Sequence, residues 1–273
     1  MSRNFELLQR LGMEQDLFVQ QQSAAGTFPA EEMPIAVVED HVGPFGQAGY
    51  APTADMGPPP ELDLEGGERE EISRLVNKIF LIPSTSPARV VAMAGAESGD
   101  GCTWVTGYVA KFLAAQVTSP VCEVDANLQS PGLHEAFGVE RGIGLGEALV
   151  AIDPIRRYAK PVWQNNLFLV TAGQQAENWQ GLLASERMRS RLVELRSEFE
   201  YVILDVPALS DRNQGVILGP QVDGVVMVVR ANSTRREMAR KAVDDLTEAH
   251  VRILGAVLNQ HAVVTAGALF SRQ

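Results

Sequence analysis

Six short apolar runs, at residues 89–95, 120–125, 166–171, 201–206, 223–229 and 253–258, constrain this chain more than any other feature. Each is continuous in Val, Ile and Leu rather than alternating with polar residues. That is the pattern of a strand covered on both faces. Amphipathic stretches at 103–116, 186–199 and 234–250 separate several of them. Strand and helix in alternation predict an α/β fold: a mostly parallel, doubly wound sheet with helices on both faces. In such sheets ligands bind beyond the carboxyl ends of the strands.

This pattern occupies only part of the 273 residues. Residues 68–81 read as a helix with Ile72, Leu75, Val76, Ile79 and Phe80 on one face, so the folded domain is expected over 68–273. Residues 21–67 carry Pro29, Pro34, Pro44, Pro52 and the run Pro58-Pro59-Pro60. Proline fixes φ and gives up its amide donor, which predicts a disordered linker there. Ahead of it, residues 1–20 place Phe5, Leu8, Leu11, Leu17 and Phe18 at roughly helical spacing. Such a segment suits a docking helix for a partner and a frayed terminus equally.

The net charge is −11, and residues 30–71 alone hold eleven acidic groups against one basic group, Arg69. The acidity therefore belongs to the linker and argues against nucleic acid as a partner, since phosphate backbones call for Lys and Arg. No apolar run approaches the length of a membrane span, and the first twenty residues lack the basic start and apolar block of a signal peptide. A cytoplasmic location is expected. Two cysteines and four histidines make neither a disulfide framework nor a metal-binding set.

The first strand runs into Ala96-Glu97-Ser98-Gly99-Asp100-Gly101-Cys102-Thr103, after which a helix begins. A strand, a glycine-rich turn and a helix start are the parts of an anion cradle, because the backbone amides point inward and the helix dipole favours negative charge. The usual phosphate-loop pattern is G-x-x-x-x-G-K-[ST]. Here Ala96 takes the first position, Cys102 takes the lysine position and Thr103 takes the metal-ligand position. Residues Ser98 to Trp104 are the candidate nucleotide contacts: Ser98, Gly99, Asp100, Gly101, Cys102, Thr103 and Trp104. The lost lysine removes a full positive charge from the terminal phosphates. A thiol at a helix N-terminus is also placed for a lowered pKa, and a thiolate there would repel phosphate. The same loop read alone is equally an ordinary strand-to-helix turn.

Two more strands end on aspartate, in Val121-Cys122-Glu123-Val124-Asp125 and Tyr201-Val202-Ile203-Leu204-Asp205. Aspartates at the carboxyl edge of the sheet lie where a magnesium ion beside a phosphate loop would sit. Thr103, Asp125 and Asp205 are thus the candidate magnesium ligands, and Asp125 and Asp205 the catalytic candidates. The expected cofactor is ATP or ADP with magnesium, bound weakly.

In order and spacing these landmarks resemble the bacterial tyrosine autokinases of capsular and exopolysaccharide biosynthesis, in the Min/Par-like branch of P-loop ATPases. The resemblance covers roughly residues 68–260. It rests on the loop to Thr103, the Val124-to-Gly138 stretch with Pro131, Leu133 and Phe137, Gly144-Leu145 to Leu149, Val202 to Pro207, Asp223 to Arg230, and Gly255 to Asn259. It implies a P-loop NTPase-type domain. It puts a second Walker-like motif at Asp125, Walker B at Asp205 and a residue near the adenine at Asn259. It also implies a membrane chain-length regulator of the co-polymerase type as partner, homo-oligomerisation, and peripheral attachment at the inner face of the cytoplasmic membrane.

The chain departs from the family at Cys102, at Asn127 and Gln129 after the first aspartate, and in the tail 266–273, which has no tyrosine cluster. The family's E-x-x-R-x-x-R helix is kept only as Glu71 and Arg74, with Asn77 in the third position. A degenerate kinase-like regulatory subunit is the leading expectation. The alternatives are an active kinase or ATPase drawing on Arg89, Arg230, Arg235 or Arg236, a Min/Par-like positioning ATPase, and redox sensing at Cys102.

Overall fold

The computed structural model describes residues 66–83, 87–163, 166–174, 179–210 and 214–260. The expectations for residues 1–65, including the amphipathic segment and nearly all of the linker, lie outside them, as does the tail beyond Gln260. The described elements in chain order are helix α1 (Gly66–Val76), a π turn (Asn77–Leu81), strand β1 (Val90–Gly95), helix α2 (Cys102–Gln116), β2 (Val121–Asp125), α3 (Leu133–Ala136) and α4 (Leu145–Val150). A 3-10 turn (Ile155–Tyr158), β3 (Ala159–Trp163), β4 (Leu167–Val170), α5 (Trp179–Leu183), α6 (Glu186–Glu198), β5 (Tyr201–Val206) and α7 (Gln214–Leu218) follow. The chain then makes a 3-10 turn (Gly219–Gln221), β6 (Gly224–Arg230), α8 (Arg236–Glu248) and β7 (Ile253–Asn259).

The seven strands form one sheet in the order β3-β4-β2-β5-β1-β6-β7. Every pairing is parallel except β3 with β4, which is antiparallel. All six expected strands are present within a residue or two. The mostly parallel, doubly wound α/β sheet read from the apolar runs is the observed fold. β3 was not foreseen. Ala159, Val162 and Trp163 are buried, Lys160 and Pro161 are half-buried, and the two interrupt the apolar run. An edge strand tolerates both, because it has one neighbour and one free side.

Burial follows the pleat. Val202 and Leu204 of β5 enter the core on one face, with Leu145 and Leu149 of α4, Leu192 and Leu195 of α6, and Leu246 of α8. Ile203 points to the opposite face and packs with Val76 of α1 and with Val105, Val109 and Leu113 of α2. β1, β2 and β4 are buried along their full length. This explains why the six runs are continuous rather than alternating: both faces are covered. Parallel register brings the ends of β1, β2 and β5 to one edge, with Asp125 opposite Asp205 and Met93 opposite Asp205. The loop after β1 opens at that edge. No described helix is long and apolar enough to cross a membrane.

Candidate functional site

The loop after Gly95 turns on two residues in the left-handed region, Gly99 (φ 89°) and Gly101 (φ 79°). Only glycine adopts that backbone without strain. At Gly101 a Cβ would also lie 2.3 Å from Asn259 Nδ2. Asn259, at the end of β7, donates from that amide to the Asp100 carbonyl at 2.9 Å. Its own Oδ1 accepts from the Gln260 amide.

Asp100 is buried and does not face outward as a ligand group. Its Oδ1 accepts from Thr234 Oγ1 at 2.6 Å, and its Oδ2 accepts from the Glu97 amide at 2.8 Å. Thr234 Oγ1 in turn accepts from the Arg230 amide. Glu97 accepts from the Arg235 amide at 3.0 Å and pairs with its guanidinium at 3.3 Å, contacts that hold its carboxyl below the usual carboxylate range against a weak opposing effect of burial. Two acids therefore clasp the loop to the β6–α8 turn, which presets its shape without a ligand. Replacing Thr234 with Val leaves a buried carboxylate oxygen without a donor, at about 1–3 kcal/mol. Thr234→Val is expected to speed hydrogen exchange at the 96–101 amides and lower the melting temperature by a few degrees. Thr234→Ser should restore both.

Thr103, in the first turn of α2, donates its hydroxyl to Asp205 Oδ2 at 2.6 Å. Asp205 is 1% exposed, and its Oδ1 is buried without a hydrogen-bond partner. Burial raises its carboxyl from 3.8 to about 6, against the lowering effect of the Thr103 and Cys102 side chains. Asp125 is satisfied differently. Its Oδ1 accepts from the Asn127 amide, and its Oδ2 accepts from the Gly132 and Leu133 amides, each at 3.1 Å. Burial and the Asp205 charge still lift it to about 7. Asp125 thereby folds the 127–133 loop against Thr103, whose methyl carbon would lie 3.2 Å from a Cβ on Gly132.

The Cys102 thiol lies near the Thr106 hydroxyl, 3.8 Å away. Sequence reasoning placed it for a lowered pKa at a helix N-terminus, and the structure reverses that. Burial, then the neighbouring Asp205 charge, push the thiol well above its ordinary range. A partly buried thiol shielded from water and set beside an anion stays protonated, and the helix dipole is too weak to offset both. The lysine position is thus neutral.

Glu123, two residues before Asp125 on the same face of β2, escaped the sequence reading. It is fully buried, and neither carboxylate oxygen has a hydrogen-bond partner. Burial above all, then the Asp205 charge, raise it well above the usual range, against the opposing charge of Lys111. A glutamate inside a continuous apolar strand was its only signal. Lys111 is itself almost buried, with its ammonium 4.6 Å from the centre of the Phe137 ring.

These groups suit magnesium. The ion takes hard oxygen donors, uses one or two carboxylates, and completes its shell with water and phosphate oxygens. Asp205 Oδ1 is an orphaned oxygen of that kind beside the Thr103 hydroxyl. Asp125 has less to offer, because amides occupy both of its oxygens. Among the described residues no three His, Cys, Asp or Glu side chains converge as an all-protein cage.

No protein-family model matches the chain. Individual proteins do. The tyrosine-protein kinase YwqD of Bacillus subtilis is 29% identical over 169 residues, covering 62% of this chain and 71% of that protein. The tyrosine-protein kinase Etk of Escherichia coli K12 is 27% identical over 190 residues, 70% of this chain. Its homologues are bacterial tyrosine-protein kinases. The succinoglycan biosynthesis transport protein ExoP of Rhizobium meliloti is also similar, 27% identical over 178 residues and 64% of this chain. The chain spans 26% of Etk and 22% of ExoP.

Solved structures share the fold. The VpsO kinase domain superposes with a TM-score of 0.64 at 26% identity, covering 72% of this chain and 98% of that one. The chimerical protein CapA2B2 gives 0.67 at 20% identity, covering 71% and 85%. The septum site-determining protein MinD of Pyrococcus horikoshii, complexed with Mg-ADP, gives 0.53 at 19%, covering 64% and 71%, and shares the fold alone.

Proposed function

We propose that this protein is a nucleotide-binding, kinase-like regulatory subunit of exopolysaccharide or capsule biosynthesis, with little or no kinase activity of its own. The observation that carries the reading is Cys102. Its neutral, partly buried thiol occupies the position where phosphoryl transfer calls for a cation. The rest of the cradle favours retained binding. The loop is preset by its clasp, the α2 N-terminus offers free amides, and Thr103 and Asp205 would hold magnesium. That ion, when bound with nucleotide, would neutralise phosphate charge. The chain's own groups hold the loop and orient the 127–133 segment through Asp125.

The polysaccharide role follows the kinase relatives and ExoP. On the same footing the partner is a membrane chain-length regulator, and the working location is the inner face of the cytoplasmic membrane, with self-association. Thr103–Asp205 geometry leaves slow hydrolysis as the second reading, since a metal site survives.

Calorimetry of the full chain with Mg·ATP tests the central claim. The expected dissociation constant is at least ten-fold weaker than that of the Cys102→Lys variant, because a hydrogen bond to a charged group contributes about 1.5–3 kcal/mol. Equal affinities would refute a role for the missing charge. Co-purification from membranes with a co-expressed chain-length regulator tests the partner, and a protein that remains alone would oppose it.

A further inference from the structure

Trp104, one of the candidate nucleotide contacts, is an exposed aromatic at the lip of the cradle whose role the reading above leaves unstated. It follows Thr103 directly on the first turn of α2, where the next two residues, Val105 and Thr106, are buried toward the sheet. Its indole is 44% exposed and stacks on Tyr108 one turn along, with ring centroids 4.2 Å apart and planes tilted by 45°. Tyr108 supports the indole, and much of the Trp104 side chain remains open to solvent. Such an arrangement costs hydrophobic area in the free protein and is already ordered for a flat partner. A second observation marks the site beside it as built for a ligand: Asp205 is 1% exposed, and its buried Oδ1 has no hydrogen-bond partner.

The polar alternative for base recognition is engaged elsewhere. The Asn259 amide donates to the Asp100 carbonyl, and its oxygen accepts from Gln260. With phosphates on the amides at the start of α2, the remainder of a nucleotide would leave the cradle across the first turn of that helix, where Trp104 is the large exposed side chain. Cys102 adds no charge at the phosphate end, so affinity shifts toward whatever holds the base.

We propose that Trp104 is the base-recognition residue of this site: the aromatic base of a nucleoside di- or triphosphate stacks on its open face. The proposal rests on the nucleotide-binding reading above and deepens it. Stacking is tolerant of the phosphate count, so ADP binds about as tightly as ATP.

The experiment is calorimetry on the full chain with magnesium and three probes: ADP, ATP and inorganic tripolyphosphate. The expected result is tighter binding of both nucleotides than of tripolyphosphate. Trp104→Ala should then lose roughly ten-fold to a hundred-fold in ADP affinity, the range for loss of one base–aromatic stack. Trp104→Phe should stay within about three-fold of the native protein, since a flat ring remains. Tripolyphosphate binding should not change in either variant. Native ADP affinity retained by Trp104→Ala, or ADP binding no tighter than tripolyphosphate, overturns the assignment while the phosphate cradle stands. If the native protein binds none of the three, the nucleotide reading itself falls, and the assignment with it.

Discussion

Protein recovered from cells is expected to give no phosphotyrosine signal on a blot. Phosphoryl transfer depends on positioning and on stabilising charge that develops in the transition state. Loss of one positioned donor to such charge typically costs on the order of 10²–10³ in rate. Here the loss is complete, because burial and the Asp205 carboxylate keep the Cys102 thiol protonated. The acceptor side is poor as well. Tyr158 is buried, Tyr108 stacks on Trp104, and Tyr201 packs edge-on to Phe80. Tyr50 lies outside the described residues. Cys102→Lys would place an ammonium beside Asp205, and any phosphotransfer it restores should disappear in a Cys102→Lys/Asp205→Ala double variant. A strong signal from the native protein, abolished by Asp205→Ala, would show an active kinase.

Asp205→Asn is expected to stabilise the ligand-free protein while it weakens magnesium-dependent binding. Asp205 rises from 3.8 to about 6 on folding, and the neighbouring Asp125 from 3.8 to about 7. Burial leads in both, and the charge of Asp205 adds to it at Asp125. An acid with a raised folded pKa binds more protons folded than unfolded across that interval. Unfolding free energy therefore falls as pH climbs from roughly 4 to 7 and levels off above. Two pKa units correspond to about 3 kcal/mol at Asp205, as an order of magnitude. The asparagine removes the charge and keeps an oxygen for Thr103. Its melting temperature should exceed that of the native protein by several degrees at pH 8, at about 2–4 °C per kcal/mol for a domain of this size. The difference should close near pH 4, where the native carboxyl is protonated anyway. A lower melting temperature for Asp205→Asn at pH 8 would contradict the argument.

Much of the fold was legible because its signals are local. A strand such as Val202-Ile203-Leu204 announces burial on both faces by its own composition, and Gly99 and Gly101 announce a turn that other residues resist. β3 escaped because an edge strand with Pro161 carries no such composition. The site residues Thr103, Asp125 and Asp205 could be named from their places at strand and helix ends, since a parallel sheet brings those ends to one edge whatever the loops do.

What each residue does there was not local. The sequence by itself determined the doubly wound sheet, the phosphate loop and the absence of its lysine. Only the tertiary structure decided that Asp100 clasps Thr234 rather than facing a ligand, that Asp125 is occupied by three amides, and that Glu123 is buried without a hydrogen-bond partner. It also reversed the expected state of Cys102. Helix-dipole reasoning sees only the residues next to the thiol in sequence, whereas its protonation depends on solvent exclusion by packed layers and on a carboxylate one hundred and three residues away in the chain. Desolvation and through-space charge are properties of the folded arrangement, and no stretch of sequence carries them alone.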